Sequence, residues 1–271
     1  MYRKKEKKKK IFILVTQISL LIVCFIIWEF LGRKGLINTF LFSYPSDIWK
    51  IFYVYLENNE IFRHIGISVF ETLLGLIIGT VLGLIISVIL WWNDFVAKIL
   101  DPFLVVLNAL PKTALAPIII IWVGTGIDGI VCVAISISLV LTILSAYQYF
   151  KNVSFEQILM LKSFGANKLQ ILFKLIIPSN IGNLINLIKI NIGMSWVGVI
   201  VGEFIVSKEG IGYLIMYGSQ VFKMGLVMMG VLVLGILSFL MYEIVNIIEK
   251  VWKENHKWLI RIWKRLCLCY F

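Results

Sequence analysis

LKSFGANKLQILFKLIIPSN, residues 161–180, breaks an otherwise lipid-like chain with Gly165, Lys168, Lys174 and Pro178. Just before it, Phe155, Ile158, Leu159, Met160 and Leu161 follow Ser154 and predict a short amphipathic helix capped by that serine. Gly165 is placed to end the helix with a positive φ. Residues 167–177, NKLQILFKLII, predict a second helical segment, and Pro178 is expected to stop or kink the chain before the next apolar run. Helix, sharp turn, helix is the result. Two uses fit such an elbow: an interfacial helix lying on lipid, or a rigid lever that docks into another protein.

Working outward, the apolar residues come in runs rather than stripes. The 271 residues are 60% hydrophobic and only 15% charged, where a soluble domain is about half apolar and a quarter charged. The fold class expected is all-α transmembrane, a six-helix bundle. Spans fit at about 11–31, 64–91, 99–123, 127–149, 180–206 and 224–248, each long enough for about 30 Å of hydrocarbon. The first apolar run is longer than a signal-peptide core and lacks an A-x-A site, so it reads as an uncleaved span.

Lysine and arginine counts orient the bundle. With both termini cytoplasmic, eighteen fall inside, including Lys98, Lys151, Lys162, Lys168 and Lys174, and six fall outside. The elbow then faces the cytoplasm. The net charge of +11 gathers at the ends, in residues 1–10 and 251–271, as topology signal rather than a nucleic-acid surface. In the tail, Lys257, Arg261, Lys264 and Arg265 separate from Leu259, Ile262, Trp263 and Leu266, as in a helix lying on anionic lipid. With no repeat or linker, residues 1–271 form one domain: a basic tail at 1–10, a core at 60–250 holding a loop at 150–179, and the tail at 251–271. Cys24 and Cys132 lie in apolar runs, and Cys267 and Cys269 form a lone C-x-C, so no metal site is expected.

Polar and backbone-breaking residues inside the spans are the candidate path. Pro102, Pro111 and Pro117 share span three, with Lys112 beside Pro111. They either shape packing or open a water-filled path. Asn186 and Lys189 share a face of span five with Gly182 and Gly193; Trp196 and Glu203 follow. Glu203 is about 21 Å along the axis from Lys189, too far to pair with it. Lys189 is open to either substrate contact or a salt bridge to another helix, with Glu71 as a partner. Gly75, Gly79 and Gly83 make a smooth groove, for packing within one chain or across a dimer.

The elbow also resembles the cytoplasmic loop of bacterial ABC importer permeases, E-A-A-x-x-x-G-x9-I-x-L-P. Gly165 and Pro178 match at the required spacing, and Leu175 and Ile177 fill the aliphatic positions. Leu159, Met160 and Leu161 stand at the Glu-Ala-Ala positions, and the nearest acid is Glu156. FSYPSDIW (42–49), LPKTALAPIIIIWVGTG (110–126) and IGMSWVGVIVGEFIVSKEGIGYLI (192–215) are similar to the nitrate, sulfonate and taurine branch. There Lys189 stands where arginine is common.

The resemblance implies a coupling loop of Glu156, Leu159, Met160, Leu161, Gly165, Ala166, Leu175, Ile177 and Pro178 against an ATPase subunit. It implies two permeases as a homodimer, two ATPases, an extracytoplasmic solute-binding protein and a bacterial cell membrane location. ATP and magnesium would bind the ATPase, since this chain has no G-x-x-x-x-G-K-[ST]. The implied solute is a nitrate-, sulfonate- or taurine-like anion or a vitamin precursor. A self-sufficient transporter or channel is the alternative, though no inverted repeat is visible. A membrane enzyme lacks a placed base, because His64 and His256 fall at span ends.

Overall fold

Small residues decide how the longest helices meet. Helices α3 (Glu60–Trp92) and α6 (Ile127–Lys151) lie side by side, with Gly75, Gly79 and Gly83 facing Ala134, Ser138 and Thr142. Both rows recur every four residues, so each is one ridge of its helix. A Cβ on any of the three glycines would overlap its partner. The groove therefore packs within one chain. Helix α9 (Ile177–Val206) uses α6 in the same way, through Gly198 against Ala134 and Gly202 against Ile130. Lipid offers no hydrophobic drive between helices, so this close dispersion contact carries the packing. Asn191 of α9 adds a polar staple, donating to Thr80 at 2.9 Å and Thr142 at 2.8 Å.

The computed structural model describes residues 2–36 and 43–268, and side chains as far as residue 252. Phe42 and the side chains of both basic tails, including Cys267 and Cys269, lie outside that description. Before α3 come α1 (Tyr2–Arg33) and α2 (Pro45–Glu57). Between α3 and α6 lie α4 (Asp94–Ala109) and α5 (Lys112–Val123); between α6 and α9 lie α7 (Phe155–Ser163), α8 (Lys168–Ile171) and a π turn at Leu172–Ile176. The chain closes with α10 (Ile211–Gln220) and α11 (Met224–Leu268). All the described regular structure is helical, and five helices are long and apolar enough to cross a membrane.

The third expected span, 99–123, needs correction. It is two helices bent by 99°. Leu110 is extended, as a residue before proline tends to be, and Pro111 caps the start of α5. Pro102 and Pro117 sit inside their helices without ending them. Pro178 also does not stop the chain, which runs helical from Lys168 to Val206. The π turn ahead of it bonds Ile177 N–H to Leu172 and absorbs the missing donor and the ring's bulk.

Two further features concern the chain between and beyond the expected spans. Residues 45–57, between the first two expected spans, form α2, whose Ile48 is buried against Ile211, Leu214 and Leu226. The basic tail is a direct continuation of the last span, within one helix from Met224 to Leu268.

Candidate functional site

The loop between α6 and α9 has two sides. Its inner side joins a buried cluster of Phe150, Ile171, Leu172, Ile176 and Leu187, on which Ile158, Leu161, Ala166, Leu175 and Ile177 pack. Its outer side is α7, where Phe155, Leu159 and Met160 are more than half exposed and Phe164 is 81% exposed. Glu156 stands exposed on the same helix, three residues before Leu159. The motif residues thus divide into anchors (Leu161, Ala166, Leu175, Ile177) and an outward apolar stripe (Leu159, Met160).

Gly165 holds the two sides apart. Its φ is +78°, and two crossed bonds close the helix end: Gly165 N–H to Lys162 at 2.9 Å and Ala166 N–H to Leu161 at 3.0 Å. That is the Schellman arrangement, with glycine at the left-handed position. Ser154, expected as the cap of α7, makes no side-chain capping bond. The cap that does form is at α8, where Asn167 and Gln170 bond each other's backbone N–H reciprocally. Lys168 then ties the loop to α3. Its Nζ donates to the Trp92 carbonyl at 2.5 Å and stands 5.8 and 5.4 Å from the rings of Trp91 and Trp92.

Along α9, Lys189 is not free for a solute. It pairs with Glu249 of α11 and donates to Asn246 at 3.1 Å, over the ring of Tyr242. The expectation of an interhelical salt bridge holds, but Glu71 is not its partner. Asn186, with Asn183, Ile190, Gly193 and Val197, lies on an exposed face of α9. A Cβ at Gly182 or Gly193 would meet nothing within 4 Å. Trp196, by contrast, is 3% exposed and packs with Leu76 and Ile192. Lys112 bonds Asn108 at 3.2 Å across the bend that Pro111 makes, and Pro117 is exposed on α5.

At the end far from the loop, Glu203 is 1% exposed and caps α10. Its carboxylate accepts from Gly212 N–H and the Ser68 hydroxyl, each at 2.5 Å, and from Tyr213 N–H. Ser68 Oγ accepts from Ile211 N–H at 2.8 Å, and His64 Nδ1 accepts from Gly210 N–H at 2.9 Å. The N–H groups of Gly210, Ile211 and Gly212 at that helix start are met, and the carboxylate complements the helix dipole. Gly210, at φ +107°, and Gly212 leave the room: a Cβ on either would overlap Glu203. Glu71 of α3 brings its own carboxyl beside that of Glu203.

Residues 75–253 match the family described as binding-protein-dependent transport system inner membrane component. The chain belongs to that family. This permease is 25% identical over 235 residues to the putative aliphatic sulfonates transport permease protein SsuC of Bacillus subtilis, with 85% of each chain covered. It is 26% identical over 188 residues to the formylaminopyrimidine transport permease protein ThiX of Halalkalibacterium halodurans, covering 69% of this chain and 74% of that one. Against the taurine transport system permease protein TauC of Escherichia coli, the identity is 23% over 181 residues, 67% and 66% of the two chains.

In fold the permease is similar to an inward-facing MetNI methionine ABC transporter, at TM-score 0.60 and 17% identity, over 69% of this chain and 94% of that one. The permease is thus a multi-pass membrane subunit of an ABC importer, with the type I importer fold. A self-sufficient transporter is set aside. Sequence reasoning missed the tie of Lys168 to Trp92, Glu249, Ser68 and the Asn167–Gln170 box. Only the last carried a local signal, N-x-x-Q ahead of an apolar run.

Proposed function

We propose that this permease forms the path for a small organic solute delivered by an extracytoplasmic binding protein, and that α7 is where its ATPase docks. The observation that carries the docking reading is the outward stripe of Phe155, Leu159, Met160 and Phe164 on a helix fixed by Gly165. An interfacial helix would need only an apolar face toward lipid. This one is also fastened behind, by Ile158 and Leu161 in the loop cluster and by Lys168 on α3. A push on α7 would then reach α9 through the π turn and α3 through Trp92.

In this reading the loop end and both termini are cytoplasmic, in line with the lysine and arginine excess on that side. Two permeases and two ATPases assemble, and ATP and magnesium are held by the ATPases. The exposed face of α9 around Asn186 and Gly193, with the bend at Pro111–Lys112, lines the path between the two copies. The relatives' solutes, aliphatic sulfonates, taurine and formylaminopyrimidine, suggest a small polar organic molecule. Lys189 no longer argues for an anion, because Glu249 neutralises it.

Glu156 tests the docking chemistry. If its carboxylate meets a basic group on the ATPase, the contact is worth about 1.5–3 kcal/mol. Glu156→Ala is then expected to weaken ATPase association about ten- to a hundredfold, with Leu159→Glu in that background restoring part of it. Co-purification of the ATPase with single and double variants measures this. A silent Glu156→Ala beside a damaging Leu159→Glu would assign docking to the apolar stripe alone.

A further inference from the structure

The first span is fastened at its C-terminal end. Only 6% of it is buried against the rest of the chain, where the other four unbroken spans bury 33% to 56%. Its contacts there are with the start of α2. Trp28 donates to the Ser43 carbonyl at 2.9 Å, Gly32 lies against Tyr44, and Glu29 accepts from Ser46 N–H at 2.9 Å. These contacts fix a groove of about 910 Å³ between α1 and α2. Its α1 wall is one face of the helix, positions 21, 22, 25, 26, 29, 30 and 33. Its α2 wall is Pro45, Ser46, Trp49 and Lys50.

The groove is polar at one end and apolar along the rest. Leu21, Ile22, Phe25 and Ile26 are between 39% and 61% exposed along its apolar length. All its charges, Glu29, Arg33 and Lys50, gather at the other end. From Leu21 to Arg33 is about 18 Å along the helix axis, close to half of about 30 Å of hydrocarbon. That is one leaflet, from headgroup to midplane. Trp49, exposed beside the charges, suits the headgroup level. The Glu29 carboxylate is already engaged by Arg33 Nε and Ser46 N–H. Lys50 is exposed and makes no ion pair or hydrogen bond among the described residues. Two cations thus face one carboxylate, an excess that one phosphodiester balances. We infer that this groove binds one anionic phospholipid, with an acyl chain along Leu21, Phe25 and Ile26 and its phosphate beside Arg33 and Lys50. A second copy packed here would instead bury the excess charge uncompensated. The inference rests on α1 and α2 alone and stands whether or not α7 docks an ATPase.

The test is native mass spectrometry of the full-length permease, with whatever subunits co-purify. The probes are equal amounts of dioleoylphosphatidylglycerol and dioleoylphosphatidylcholine. The anionic lipid is expected to be retained over the zwitterionic one at least about fivefold, the effect of one well-placed lysine at an anionic headgroup. Lys50→Gln is expected to bring the two lipids close to parity. Lys98→Gln, which removes an exposed lysine away from the groove, is expected to leave the preference as it was. Ile26→Trp, which fills the apolar length and keeps the charges, is expected to cut retention of the anionic lipid at least about threefold. All three positions are exposed, so the variants are expected to fold. Equal retention of the two lipids, a preference unchanged in Lys50→Gln, or one equally reduced in Lys98→Gln would overturn the site. So would full retention in Ile26→Trp, and loss of a permease dimer in that variant with retention unchanged would assign the groove to a second copy.

Discussion

Gly210→Val is expected to leave almost no folded permease, while Gly66→Val leaves the yield near that of the unaltered chain. Gly210 has φ +107°, and a Cβ there would overlap the Glu203 carboxyl. Valine therefore strains the backbone by about 1–3 kcal/mol and pushes the carboxylate off the start of α10. Glu203 would stay buried without its donors, and breaking a buried charged contact costs about 3–5 kcal/mol. The sum is comparable with the whole stability of a domain, about 5–15 kcal/mol. Gly66 sits on an exposed part of α3 with nothing within 4 Å of an added Cβ, so it controls for valine as such. Yield of monodisperse protein by fluorescence-detected size exclusion reads both. A Gly210→Val yield equal to the unaltered chain would refute the Glu203 clasp.

Gly165→Val should behave in the opposite way, folding well and failing to work. Here φ is +78° and an added Cβ would meet nothing within 4 Å, so the cost is backbone strain alone, about 1–3 kcal/mol. The turn is exposed, and the chain can relieve the strain by abandoning the crossed bonds to Lys162 and Leu161. The angle between α7 and α8 is then lost while the anchors around Phe150 remain. Insertion and yield are expected to be normal, with ATPase capture and transport-linked hydrolysis falling at least about tenfold. Gly165→Asn is expected to keep most of both, because asparagine tolerates the left-handed region. Equal failure of asparagine and valine would remove the turn geometry from the mechanism.

Five of the six spans, the elbow and the glycine groove were legible, because each rests on a local pattern of length or spacing. The bent third span was not. Three prolines stand in it, and nothing local distinguishes Pro111, which breaks the helix, from Pro102 and Pro117, which do not. Pro178 looked like a stop, but a π turn only five residues long absorbed it. Helix α2 could have been read from Pro45 and the apolar positions Ile48, Ile51, Phe52 and Tyr55.

The candidate sites divide along the same line. Gly165 announces its turn in sequence, whereas the positive-φ turn at Gly210 was not read there. The long-range partners carry no local signal: Glu203 finds Ser68, Lys189 finds Glu249, and Lys168 finds Trp92 through contacts 60 to 135 residues apart. Such pairs are set by which helix faces meet, and Lys189 shows the hazard. Charge alone offered Glu71 as its partner, whereas packing delivered Glu249.

The central claim, that the outward stripe of α7 is an ATPase-docking surface, is tested most directly by placing a photo-crosslinking amino acid at Met160 of the full-length chain in its native host. Irradiation is expected to join it to the ATPase subunit, identified by mass spectrometry, and the adduct should be lost in Gly165→Val. A probe at Ser207, at the far end, should give no such adduct. Adducts from Met160 to lipid alone, or an ATPase adduct from Ser207, would contradict the account.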